Sequence, residues 1–207
     1  MVKSDLALWK LVEAIVAGDV APVSRLLSES PQLAKASFQT GASRQAATKY
    51  FLDKIGRYVY AGDTALHIAA AAYQTDIVRK LIAAGADVRA RNRHGAEPLH
   101  SAAVGAPGST WWNPSAQSAA ITCLIQAGGD PNAVDKTGVT PLHRAVRTRC
   151  AEAVQTLLEC GADPGRKNKS GSTPTLLATV NSGRGGSGSP AAKSQQQEIL
   201  RLFQQRA

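Results

Sequence analysis

Three histidines, His67, His100 and His143, stand in one phase of the chain, each preceded by leucine and followed two residues later by alanine. A recurring imidazole can ligate a metal, but no carboxylate or cysteine recurs beside these three to complete a shell. His143 and Cys150 lie seven residues apart. That spacing can place them on one helical face, so a thiol–imidazole nucleophile is a second chemistry to weigh. The cysteines, Cys123, Cys150 and Cys160, are odd in number and lack C-x-x-C spacing. This argues against a disulfide framework and fits a reducing, intracellular compartment. The stretch GRGGSGSP at 183–190 lacks the Gly-Lys-Ser/Thr ending of a phosphate loop and follows a helical pattern. It reads as a flexible linker, with an RGG-like nucleic-acid segment around Arg184 as the alternative. Finally, STWWNP at 109–114 sets two tryptophans, Trp111 and Trp112, side by side in a chain that is 5% aromatic.

The elements that carry these residues repeat. GDTALHIAA from Gly62, GAEPLHSAA from Gly95, GVTPLHRAV from Gly138 and GSTPTLLAT from Gly171 align, and each of the last three follows a loop of the type GADVRARNRHG. Gly62 to Gly95 and Gly138 to Gly171 each span 33 residues, whereas Gly95 to Gly138 spans 43. Val78, Leu81 and Ile82 match Val154, Leu157 and Leu158, and Ile199, Leu202 and Phe203 extend the series. Leu11, Ala14, Val23, Leu26 and Leu27 supply a unit before it.

These segments resemble the ankyrin repeat, with its T-P-L-H-x-A signature and G-A-D loop, most strongly over 62–178. The resemblance implies an all-α solenoid of stacked helix–turn–helix units joined by inter-repeat loops. Five units are expected: 5–36 as an N-terminal cap, 62–94, 95–137, 138–170, and 171–207 as a C-terminal cap. Insertions fall at 37–60, 106–115 and 181–192. The resemblance also makes the three histidines structural, bonding the capping hydroxyl and nearby backbone, and makes His143 and Cys150 scaffold residues.

The physics agrees. Each unit is expected to hold a short first helix and a longer second one, each with a single apolar stripe. One pair cannot bury those stripes alone, so pairs must stack. Thr64, Thr140 and Thr173 can cap the first helices, and Pro98, Pro141 and Pro174 suit the first helical turn. Gly85, Gly128 and Gly161 sit where a left-handed residue ends the second helix. Glu97 replaces the usual threonine and Leu176 the usual histidine, so weaker joints are expected there.

Composition narrows the function. Lys and Arg number 24 against 15 Asp and Glu, a net charge of +9 that favours acidic partners or nucleic acid. No apolar run approaches the roughly 18–20 residues of a membrane span. The first eighteen residues place Asp5, Lys10 and Glu13 among apolar ones, as in an amphipathic helix rather than a secretory leader. Basic residues gather in the loops (Arg89, Arg91, Arg93 and His94; Lys136; Arg166, Lys167 and Lys169) and on the fourth unit's first helix (Arg144, Arg147, Arg149). The resemblance places these loops and helices along a concave partner surface.

The expected function is therefore a non-catalytic scaffold binding another protein, one with an acidic surface, through Arg89, Arg91, Arg93, Arg144, Arg147 and Arg149. Nucleic acid on the same face is the alternative. No catalytic constellation, cofactor or metal is expected, and the protein's own cell and delivery into another are both compatible with the sequence. The first insertion carries the aromatics Phe38, Tyr50, Phe51, Tyr58 and Tyr60, and its Tyr50, Phe51, Ile55, Tyr58 and Val59 form a pattern allowing a short helix and then an extended piece. The second and third insertions lengthen the turn between paired helices, on the edge opposite the loop tips and roughly 20 Å apart at helix spacings of about 8–10 Å. Trp111 and Trp112 are either a second contact point or a plug. Contact is preferred, with one indole buried as an anchor and the other more exposed.

Overall fold

Thr64, Thr140 and Thr173 each stand in extended backbone, and each hydroxyl accepts the N–H three residues on, from His67, His143 and Leu176. That bond satisfies one of the orphan donors that begin every helix. In the computed structural model, which describes residues 3–180 and 189–206, these caps start three of five helix pairs. The pairs are α1 (Lys3–Ala17) with α2 (Val20–Glu29), α3 (Ala65–Ala71) with α4 (Thr75–Ala83) and α5 (Pro98–Ala102) with α6 (Pro114–Gln126). They continue with α7 (Pro141–Arg147) and α8 (Ala151–Glu159), then α9 (Pro174–Thr179) and α10 (Pro190–Gln204). Odd-numbered helices pack in one row and even-numbered helices in a second, each against its predecessor. The fold is the expected all-α solenoid.

Its core runs unbroken along the stack. Leu66, Leu99 and Leu142 of the inner row and Leu81, Leu124 and Leu157 of the outer row are all fully buried. The loops between pairs zip together by backbone bonds. Arg93 N–H donates to Ala61 O, Lys136 N–H to His94 O, and Lys169 N–H to Thr137 O. Each loop is held from within by an equivalent side chain: Asn92, Asp135 and Asn168 accept, through Oδ1, two backbone N–H groups further along their own loop.

The first pair reverses the expected lengths, with 15 residues in α1 against 10 in α2. The reason is the insertion at 37–60, which packs on α1. Trp9 meets Phe38 and Tyr50 edge-on, with ring centroids 5.7 and 6.3 Å apart. The Asp5 carboxylate, 1% exposed, accepts the N–H groups of Gln39 and Thr40 and the Thr40 hydroxyl. Beyond this anchor the insertion forms an antiparallel hairpin, β1 (Phe51–Leu52) and β2 (Arg57–Tyr58), turned by left-handed Gly56.

The other insertions differ in extent from the expectation. Residues 114 and 115 belong to α6, and 190–192 belong to α10, so part of each excess lengthens the second helix. Nor are the two insertions separated by the distance expected. A methyl built on Gly108 would lie 3.8 Å from Ala191 Cβ, because the second loop reaches across the short turn of the intervening unit. Residues 181–188 of the third insertion, Arg184 among them, lie outside the described residues.

Candidate functional site

The three histidines are fixed as joints. His67 Nδ1 accepts the Thr64 N–H at 3.2 Å, which leaves Nε2–H to donate to Ala96 O of the next unit at 3.0 Å. His100 repeats this between Glu97 N–H and Val139 O, and His143 between Thr140 N–H and Ser172 O. Burial, the largest influence, lowers the pKa of all three, and His100 is pushed down to about 3. They are neutral ties between units. Cys150 does not join His143: its buried thiol lies beside Thr148 and the indole of Trp112, and burial pushes it up to about 11. Among the described residues no group of three His, Cys, Asp or Glu side chains is placed to hold a metal ion.

The six arginines separate into two sets. Arg89, Arg91, Arg93 and Arg147 are exposed. Arg89 Nε donates to Gly128 O, Arg91 pairs with Glu97 at 3.2 Å, and Arg93 lies over the Tyr60 ring at 5.0 Å. Arg144 instead folds inward, its side chain 17% exposed and its Nη2 3.0 Å from Asp135 Oδ2. Arg149 is 4% exposed and adopts a left-handed φ of 60° in the α7–α8 turn, where its guanidinium donates to Gln196 of α10. The expectation of Arg149 on an open face is thereby corrected. The left-handed turn directs its side chain into the next unit, as it does for Tyr73 (φ 56°), whose hydroxyl donates to Val104 O.

Both tryptophans are engaged within the chain, and both are half-buried rather than one anchored and one exposed. Trp112 Nε1–H donates to Gln117 Oε1 at 2.8 Å, and Gln117 Nε2 donates on to Ala102 O at 2.8 Å. Trp111 lies against Gly56 at the tip of the hairpin. The first insertion thus crosses the inner row, with Ile55 and Gly56 facing Ala71, Ser101 and Val104 around a small hollow that Trp111 closes. Phe38 and Tyr50 are core residues, whereas Tyr58 keeps 38% of its surface exposed.

Two residues outside the expected set organise this region. Asp63 occupies the position held by Ala96, Val139 and Ser172 in the other aligned units, a charged exception visible in the sequence. It is fully buried and accepts from Tyr60 N–H, Asn92 Nδ2 and Arg57 Nη2, at 2.8, 2.8 and 3.5 Å. Burial opposes its ionisation, but Arg57 and these donors outweigh it and hold its pKa low. Arg57 itself lies in the insertion, where no repeat register flags it.

Two family models match the chain: ankyrin repeats (3 copies) over residues 12–109, and ankyrin repeats (many copies) over residues 124–178. No curated protein matches the chain. No helix among the described residues is long and apolar enough to cross a membrane.

Proposed function

The chain belongs to the ankyrin-repeat family, whose repeats generally mediate protein–protein interactions, and from that premise we propose that it is a non-catalytic scaffold for an acidic protein partner. The observation that carries the reading is the exposed set Arg89, Arg91, Arg93 and Arg147, contributed by an inter-repeat loop and by α7. Of these, only Arg91 forms an ion pair among the described residues, and its side chain remains 54% exposed. Complementary charge of this kind speeds encounter and selects partners more than it adds affinity.

Reversing two charges, Arg91→Glu with Arg147→Glu, tests the reading. Capture of a defined acidic partner is expected to fall, with the thermal midpoint little changed because both side chains are exposed. Unchanged capture overturns it. A salt series separates the protein reading from nucleic acid. Phosphate-backbone binding weakens by several powers of ten between about 50 and 200 mM salt when six to ten phosphates are contacted, whereas a protein interface with a few rim charges loses far less.

A further inference from the structure

Arg57 of β2 and Arg144 of α7 face one cleft of about 220 Å³, with Tyr58, Tyr60, Asn92 and His94 among its walls. Each guanidinium makes one hydrogen bond among the described residues, through Nη2 to Asp63 and to Asp135 respectively. The Nε of each is buried and unpartnered. Both aspartates are shared with other donors: Asp63 with Tyr60 and Asn92, Asp135 with Thr137 and Val139. Each guanidinium has a carboxylate partner, but neutral donors occupy much of each carboxylate, and N–H groups of both guanidiniums are left without an acceptor. Burial lowers the Arg144 pKa first of all, Asp135 opposes that shift, and Arg57 adds repulsion. His94 adds a neutral donor at the rim, because its Nε2 accepts from Arg93 Nε and the proton therefore sits on Nδ1.

Tyr58 and Tyr60 also wall a second hollow, about 310 Å³, with Ala42 and Ala47 on its other sides and Arg44 and Arg93 at its edge. The anionic and apolar requirements of a ligand are therefore met side by side. Arg57, Tyr58 and Tyr60, together with Ala42, Arg44 and Ala47, come from the insertion at 37–60.

We infer that this double cleft is the receptor for one acidic residue of the protein partner and its apolar neighbour. The carboxylate sits between Arg57 and Arg144, and the apolar side chain sits against Tyr58. A guanidinium with free N–H groups suits a carboxylate through charge-assisted bonds, and a part-exposed tyrosine buries apolar area at little entropic cost. The inference rests on the acidic-partner reading above and locates it at the insertion rather than along the open groove.

The test is a titration of the full ¹⁵N-labelled chain at low salt with N-acetyl-leucyl-glutamate amide, its glutamine isostere, and inorganic phosphate. The glutamate peptide is expected to shift the Nε–H resonances of Arg57 and Arg144. The isostere should bind about tenfold more weakly, the order of one charge-assisted hydrogen bond. Tyr58→Ser should weaken the glutamate peptide several-fold without unfolding the chain, since Tyr58 is exposed. Arg57→Lys keeps a cation opposite Asp63 and should still weaken binding. Phosphate binding at these arginines without the peptide overturns the inference in favour of a simple ion site. Shifts confined to Arg89 and Arg147 overturn it as non-specific attraction. Partner capture lost with Arg91→Glu/Arg147→Glu but kept with Tyr58→Ser and Arg57→Lys leaves the scaffold reading standing and removes this receptor.

Discussion

The indole of Trp111 rests on Gly56, so closely that a β-carbon built on the glycine would stand 3.0 Å from Trp111 Cζ2. Gly56 has a left-handed φ of 57°, which closes the hairpin and strains any residue with a side chain there. Two insertions that the repeat pattern assigns to opposite edges therefore touch.

This contact makes the hairpin's order depend on the second insertion. Trp111→Ala should lower global stability by about 1–2 kcal/mol, less than full burial of an indole would cost, because the ring is half-buried. Hydrogen exchange should rise at hairpin amides such as Val59 N–H, which donates to Tyr50 O. Trp111→Phe should keep most of the protection. Unchanged exchange in Trp111→Ala would show the hairpin to be held by its base alone.

What was legible in the sequence follows the repeat. Caps, first-turn prolines, helix-ending glycines and the histidine ties are local rules applied in register, so Thr64, Pro141 and Gly161 declared their roles directly. Residues off the register did not. Arg57 and Tyr58 stand in an insertion with no second copy to compare, and their importance depends on where the hairpin folds back. Arg149 looked like a groove cation by type, but its orientation is set by a left-handed backbone that no spacing encodes for a non-glycine residue. The excess in the third unit is legible as a 43-residue spacing, but its reach to Ala191 is not, because that depends on how far a loop extends across the stack.

The third unit also carries a correctable defect. Glu97 takes the threonine position, and its Oε2 is buried without a partner while Oε1 pairs with Arg91. Burial raises its pKa, with Arg91 opposing. Glu97→Thr would remove the unpaired oxygen and supply the hydroxyl that Thr64 and Thr140 offer to their histidines. Replacing Glu97 should raise the urea midpoint, with a gain of about 1 kcal/mol, the scale of a capping hydroxyl. A lower midpoint would mean that the Arg91 pair outweighs the cap.

The histidine ties set the response to acid. His67, His100 and His143 all have folded pKa values below the ordinary 6.5, so the unfolded chain binds protons that the folded chain refuses. Stability is then fully present above pH 6.5 and falls as pH drops from there, continuing for His100 until about 3. Each histidine adds a slope of up to about 1.4 kcal/mol per pH unit. Asp135, whose carboxyl is held at about 2 against burial by donors from Thr137, Arg144 and Val139, extends the loss below pH 3.8. Glu97 acts with the opposite sign. Chemical denaturation at steps from pH 7.5 to 4.5 should show the decline, and His100→Gln should flatten it. A flat profile in the parent chain would mean that the ties tolerate protonation.

Trp112 offers the sharpest separation of packing from binding. Its N–H fills Gln117 Oε1, and Gln117, fully buried, passes the bond to Ala102 O at the end of α5. The relay closes the enlarged turn onto its own first helix, with the indole also against Gly105 and Cys150. Trp112→Phe keeps much of the ring and removes the donor, leaving a buried amide oxygen unpaired at a cost of about 1–3 kcal/mol. In a double-mutant cycle with Gln117→Leu the two losses should be strongly non-additive, because either change breaks the same bond. Partner affinity, measured well below the thermal midpoint, should be unchanged in Trp112→Phe. A fall in affinity with stability intact would instead make this indole a contact, and the relay a way of presenting it.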